Sequence, residues 1–177
     1  MPLPLIVSLI KDSIDISVVS GGNSANYNWF SSTKEVDRIN QLRLGESILL
    51  GKNPVDRSDI KGLHTCAFRL FGEVIESKLK PSMPFGELCE NSYGEIKQHS
   101  DKGLQKRIIV ALGRQDVDTS DLSCKKGLNI IGSSSDHIII EDLESKYDVG
   151  DEVTFTLSYS GLVSSMSSSY ITKYYIE

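Results

Sequence analysis

The sequence predicts an α/β fragment followed by an all-β C-terminal domain, a small antiparallel barrel or sandwich. Three observations predict it. Residues 1–51 alternate helical and strand-like segments, which is the grammar of a parallel sheet or barrel. From about residue 65 nearly every periodic segment reads instead as a strand, bounded by Gly, Pro and Asp turns. The change of grammar falls in a Lys-Asn-Pro-rich stretch over 52–63, read as a linker, and sets the expected domains at 1–60 and 61–177.

The elements follow in order. Residues 4–12 put Leu5, Leu9 and Ile10 on one helical face, with a proline in the first turn. Residues 14–19 alternate in part and read as a strand. Ser20-Gly21-Gly22-Asn23-Ser24 then turns the chain, and 24–30 read as a helical turn carrying the only tryptophan, Trp29. Residues 41–44 read as a second brief strand and 46–50 as a brief helix closed by Gly51. Strands are expected at 65–78, 106–112, 128–131, 137–142, 152–158 and 170–176. Gly72 marks a bulge or bend in the first, and Cys66 within it reads as a small core residue. The serine-rich stretch 164–169 is too short to count as disordered. Two βα units alone leave sheet edges and apolar helix faces uncovered. The first region is therefore expected to find further strands in a longer polypeptide or in a partner.

Charge narrows the function classes. Nineteen Lys and Arg against 24 Asp and Glu leave a net charge of −5, with no basic patch. Nucleic acid and anionic membrane surfaces are excluded as partners on that ground. The opening MPLPLIVSLI lacks a basic leader and is cut short by Lys11-Asp12, and no segment approaches the ~20 apolar residues of a membrane span. The three cysteines, Cys66, Cys89 and Cys124, show neither metal-ligand spacing nor a disulfide framework. A cytoplasmic setting is expected.

Three constellations hold chemistry. In the first, Ser20-Gly21-Gly22-Asn23-Ser24 and Arg43-Leu44-Gly45-Glu46-Ser47 each link a strand-like run to a helix start. Backbone amides at Gly45 and Glu46 and the Ser24 hydroxyl would converge on a phosphate, with Arg43 pointing inward beside them. In the second, Gly113-Arg114-Gln115-Asp116-Val117-Asp118 follows the apolar run 108–112 and holds a charged cluster at a strand end. In the third, Gly132-Ser133-Ser134-Ser135-Asp136-His137 stands before Ile138-Ile139-Ile140. Asp136 and His137 would face opposite sides of a strand and not pair with each other. The plain alternatives are an ordinary loop with Arg43 as a surface charge for the first, a solvated turn for the second and a structural histidine for the third.

Taken in order, SGGNSAN, INQLRLGESILLG, GLHTCAFRLFGEVIESK, VALGRQDVD, GSSSDHIIIED and VGDEVTFTLSYSGLVSSMSSSYITKYY resemble the alanine/ornithine racemase-type enzymes. These are pyridoxal-phosphate (PLP) proteins of fold type III, built from a TIM barrel and a C-terminal β-domain. The likeness is nearest the ornithine-racemase-like branch and spans the chain, but only about the second half of a family member. It implies that 1–60 are the last two βα units of the barrel and 61–177 the alanine-racemase-type β-domain.

The resemblance further implies a partial site for pyridoxal 5'-phosphate. Ser24, Gly45 and Glu46 would hold its phosphate, and Arg43 would donate to its ring nitrogen, which suits simple proton removal at Cα. It implies a cofactor-bearing lysine on the first barrel strand, and no lysine of this chain matches that position, so the chain is expected not to racemise alone. A second acid/base is also required. In alanine racemases a tyrosine follows the glycine of the segment matching GRQD, and Arg114 stands there here. An arginine gives up its proton too reluctantly for that task. Asp116, Ser135, Asp136 and His137 are the alternatives, with the GRQD and SSDH turns jointly lining a neighbour's site. The implied partners are an amino-acid substrate and either a second copy, in a head-to-tail homodimer, or a complementing N-terminal barrel half. The competing reading is a non-catalytic remnant or interaction module from a split or truncated racemase gene.

Overall fold

The structure, a computed structural model, describes residues 8, 10, 12–33, 39–83, 85–86 and 100–176. It divides into two compact units, Met1–Ala67 and Phe68–Glu177.

In the first unit a 3-10 turn, Ser24–Asn26, runs directly into helix α1, Tyr27–Ser32. Asn23 caps the turn. Its side chain accepts the Ala25 N–H at 3.0 Å while Asn26 Oδ1 accepts the Asn23 N–H at 3.1 Å. Helix α2, Glu46–Leu50, ends at Gly51, which takes the left-handed conformation at φ 65°. A Cβ on Gly51 would lie 2.4 Å from the His64 carbonyl oxygen, so the following chain can fold back only over glycine. The helical turn at 24–30 and the helix closed by Gly51 stand where the sequence puts them.

The strand expected over 14–19 does not form. A single parallel bridge, Ser20↔Gln41, stands in its place, and the strand expected over 41–44 shrinks to that same bridge. Ile14 and Val18 are 61% and 56% exposed, so their alternation has no covered face to bury into. The helix expected over 4–12 lies largely outside the described residues; Ser8 and Ile10 are helical. The stretch 52–63 is more ordered than a linker. Lys52 and Asp59 form an antiparallel bridge, Ile60 is buried, and buried Asn53 accepts the Val55 N–H at 3.0 Å.

The second unit is a sheet. Its strands are β1 (Leu70–Pro81), β2 (Leu104–Val110), β3 (Leu122–Cys124), β4 (Leu128–Ser133), β5 (Ile138–Asp142) and β6 (Glu152–Leu157). They lie in the order β3-β6-β1-β2-β5-β4, with every pairing antiparallel. The edge strands β3 and β4 approach each other, so the sheet nearly closes into a barrel. Leu70, Val74, Ile108, Val110, Ile138, Ile140, Val153 and Phe155 point inward and make the core. Period-2 alternation explains β1, where buried Leu70, Gly72 and Val74 alternate with exposed Phe71, Glu73 and Ile75.

Several expectations need correction here. The register of β1 shifts between Val74 and Glu76, so the bulge is not at Gly72, which pairs in register with Val153. Gly72 serves close packing instead: a Cβ there would lie 2.5 Å from Val110 Cγ1 and 2.6 Å from Leu112 Cδ1. β1 begins at Leu70, leaving Cys66 exposed ahead of it and outside any core. Residues 170–176 form no strand, and Tyr170, Tyr174, Tyr175 and Ile176 stand exposed. The segment before them folds as helix α3, Tyr159–Ser167, which the serine content hid. Its signal was Ser158, whose side chain accepts the Gly161 N–H at 3.1 Å as a cap. Leu162 and Ser165, three residues apart, form its buried face.

Candidate functional site

Two polar clusters stand out, one in each unit. The first is built on Ser24. Its Oγ accepts the Gly45 N–H at 3.3 Å and the Ser47 N–H at 3.2 Å, and lies 3.1 Å from Ser47 Oγ. Ser24 and Ser47 are buried. A hydroxyl that takes two backbone N–H groups and a second hydroxyl marks a convergence of donors, the arrangement that receives an anionic oxygen. The structure thus brings Ser24 and Gly45 together. The Glu46 side chain turns the other way, to an ion pair with Arg57. Arg43 is exposed, and its Nη1 donates to Ser20 Oγ at 3.3 Å beside the parallel bridge. Sequence reasoning missed Ser47. The available signal was its place two residues after the turn glycine, in the first turn of helix α2.

The second cluster joins the turns that carry Arg114 and His137. The Arg114 N–H donates to the Ser134 carbonyl at 3.0 Å and the Gln115 N–H to the Ser135 carbonyl at 3.1 Å. A Cβ on Gly113 would lie 2.0 Å from the Ser135 carbonyl oxygen, so glycine is what lets the two turns meet. Asp116 is buried, and its Oδ2 accepts the Gly113 N–H at 3.0 Å, closing its own turn. That contact gives its carboxylate a positioning task. Ser135 Oγ donates to Asp136 Oδ2 at 2.7 Å, while the His137 N–H donates to Ser134 Oγ at 3.1 Å. Ser135, Asp136 and His137 are all exposed on one joined platform with Arg114.

Beside the platform an open groove of about 490 Å³ runs between edge strands β3 and β4. Arg114 stands on it, with its Nε donating to Ser133 Oγ at 3.3 Å, and Ser133 Oγ is 3.2 Å from Thr119 Oγ1. Asp118 faces the same groove. The Ser120 N–H and Oγ donate to its Oδ1 at 2.9 and 2.8 Å, which holds its carboxyl below the usual carboxylate range. Cys124 lines the groove too, and burial pushes its thiol up to about 11. Among the described residues no group of three or more His, Cys, Asp or Glu could hold a metal ion, and no helix is long and apolar enough to cross a membrane.

A unit of turns and short helices followed along the chain by a nearly closed antiparallel sheet is a known arrangement. Alanine racemase from Oenococcus oeni shares it with a TM-score of 0.57 over 93% of this chain and 46% of that one. At 20% identity this likeness shows the fold alone. No protein-family model matches the chain. Sequence relatives take the assignment further. Ornithine racemase of Acetoanaerobium sticklandii is 38% identical over 164 residues, and lysine racemase of Thermotoga maritima is 37% identical over 163. Each match takes in 91% of this chain and 46% of the relative, so the chain spans about half the length of the relatives it matches. In sequence and fold the chain corresponds to the C-terminal half of an alanine-racemase-type enzyme.

Proposed function

We propose that the chain is the C-terminal part of a PLP-dependent amino-acid racemase, with a basic amino acid such as ornithine or lysine as its first candidate substrate. The match to ornithine racemase over 91% of the chain carries this reading. In the same reading, residues before the sheet are the last βα units of a barrel whose remaining strands come from a complementing N-terminal half, and a second copy completes a homodimer.

The donor set around Ser24 supports a PLP seat. Two backbone N–H groups and two buried hydroxyls suit a phosphate, with Gly45 and Ser47 donating and the serines adding hydroxyls. Arg43, across the parallel bridge, would meet the ring nitrogen. When bound, PLP supplies an electron sink that makes the Cα proton of an amino acid removable. Racemisation removes that proton from one face and returns one to the other, so the opposite faces need two groups. This chain offers His137, a residue type that exchanges protons near neutral pH, exposed on the joined platform. The Arg114 guanidinium offers a planar fork of donors, so its task is to bind or orient charge.

The test is co-production of the chain with the half of ornithine racemase that it does not cover. The reading expects a complex that retains PLP through gel filtration and exchanges the Cα hydrogen of ornithine with deuterated water. A folded complex that retains PLP yet exchanges nothing overturns the catalytic reading. It would favour the non-catalytic module, for which one observation speaks: the buried apolar cluster of the described residues lies within the second unit.

A further inference from the structure

We propose that the groove between β3 and β4 binds a free amino acid by its charged head, with Arg114 receiving the carboxylate and Asp118 the ammonium. The two side chains stand on one groove, and each is steered by its own neighbours. Ser133 accepts from Arg114 Nε, and Ser120 donates twice to Asp118. A guanidinium offers a planar fork of donors that matches a carboxylate. Asp118 and Arg114 line the same groove with opposite charges, and after the two Ser120 hydrogen bonds the arginine adds to what holds the Asp118 carboxyl down. The Asp118 charge would repel a simple anion from the arginine, and Arg114 would repel a simple cation from the aspartate. A zwitterion satisfies both. The groove also has a short apolar strip, Leu122, Leu128 and Ile130, for an aliphatic side chain. Its volume falls within the range of about 300–1,000 Å³ usual for small-molecule sites.

This inference rests on the groove in the second unit and uses nothing of the Ser24 seat. It agrees with the racemase reading in naming an amino acid, but it holds or fails separately.

The experiment titrates the full chain with three probes followed by amide chemical shifts at Thr119, Ser120 and Asn129. Norvaline carries both head charges and a propyl chain; pentanoate lacks its ammonium, and butylamine lacks its carboxylate. Norvaline is expected to bind about tenfold or more tightly than either truncated probe, the loss expected when one charge-assisted contact is removed. Arg114→Ala should abolish saturable binding, and Arg114→Lys should weaken it by keeping the charge without the fork. Asp118→Asn preserves a residue that caps turns well, so the variant should stay folded and lose affinity for norvaline but not for pentanoate. Equal binding of norvaline and pentanoate overturns the proposal, as do unchanged binding in folded Arg114→Ala and the absence of saturable shifts with norvaline. PLP retention by the complemented enzyme is read separately, so a failure of one reading leaves the other standing.

Discussion

The two units hold their polar clusters in different ways. In the second, Phe155, Ile108, Ile138, Ile140, Val74, Val110 and Val153 are fully buried, and the platform of Arg114 and His137 rides on a core that the chain itself completes. In the first, Ile60 is the one buried hydrophobic residue among those described, while Ser24, Ser47 and Asn53 are buried polar. That unit is tied by hydrogen bonds between turns. A net hydrogen bond contributes only about 0.5–1.5 kcal/mol, so the described residues of that unit gain less from their contacts than the apolar core of the second. The difference teaches that turn chemistry can bring hydrogen-bond donors together with little apolar burial among the residues that carry them.

The widest break of this comparison is to separate the halves. Residues 68–177 alone should show one cooperative unfolding transition and a dispersed amide spectrum, while 1–67 alone should show neither. A cooperative transition in the isolated first unit would contradict the contrast. Within the second unit Phe155→Ala should remove about 3–5 kcal/mol of stability by denaturant titration, because its ring is fully buried and the sheet around it cannot collapse into the space. A loss below about 1 kcal/mol, far under the usual large-to-small cost, would mean that the core is not what holds this unit.

Gly113→Ala tests whether the platform depends on that core or on its own close approach. The added methyl cannot fit beside the Ser135 carbonyl, so the two turns must part. The expected cost is about 1–3 kcal/mol, with faster amide exchange at Arg114 and Gln115 and little change at Ile108 or Ile140. Exchange that quickens throughout the sheet would show that the platform and core are one cooperative piece. Ser47→Ala makes the matching change in the first unit. It deletes one hydroxyl from Ser24 while both backbone donors remain, at a cost of about 0.5–1.5 kcal/mol. Faster exchange at the Gly45 amide is the readout, and an unaltered rate would mean that the hydroxyl contact adds nothing to the turn.

What was legible in the sequence follows the same divide. Strands β2, β5 and β6 announced themselves because Ile108, Val110, Ile138, Ile140, Val153 and Phe155 give them apolar runs that face a completed core. Residues 14–19 carry a similar pattern, yet only Ser17 and Val19 among them bond across, to Asn40 and Gln41, and the pairing goes no further than the single bridge Ser20↔Gln41. Residues 170–176 have strand-forming side chains, yet among them only Ile171 reaches the core. Pattern predicts a strand; a partner makes one. The joined turns were legible as two polar strand ends, but their contact was not, since Gly113 and Ser135 are distant in sequence. Helix α3 and Ser47 were missed for opposite reasons. Serine-rich composition conceals the helix, and Ser47 hides behind the more conspicuous glycine and glutamate before it.

The smallest expected effect separates charge from packing in the second unit. Glu76, on the surface of β1, accepts hydrogen bonds from Lys78, at 2.6 Å, and from Lys80. These two ammonium groups hold its carboxyl down from 4.5 to about 2. A carboxylate whose folded pKa is depressed stabilises the fold above its unfolded value, and that contribution drains away as pH falls through the folded one. The window therefore runs from 4.5 down to about 2. Because the group is at the surface, water and salt screen it, and the contribution is small. Glu76→Gln should lower the melting temperature slightly near neutral pH, with the difference fading at about pH 2 and at high salt. If the difference instead survives both acid and salt, Glu76 supports β1 by packing across the bulge, and even the outer face of this unit is held by shape more than by charge.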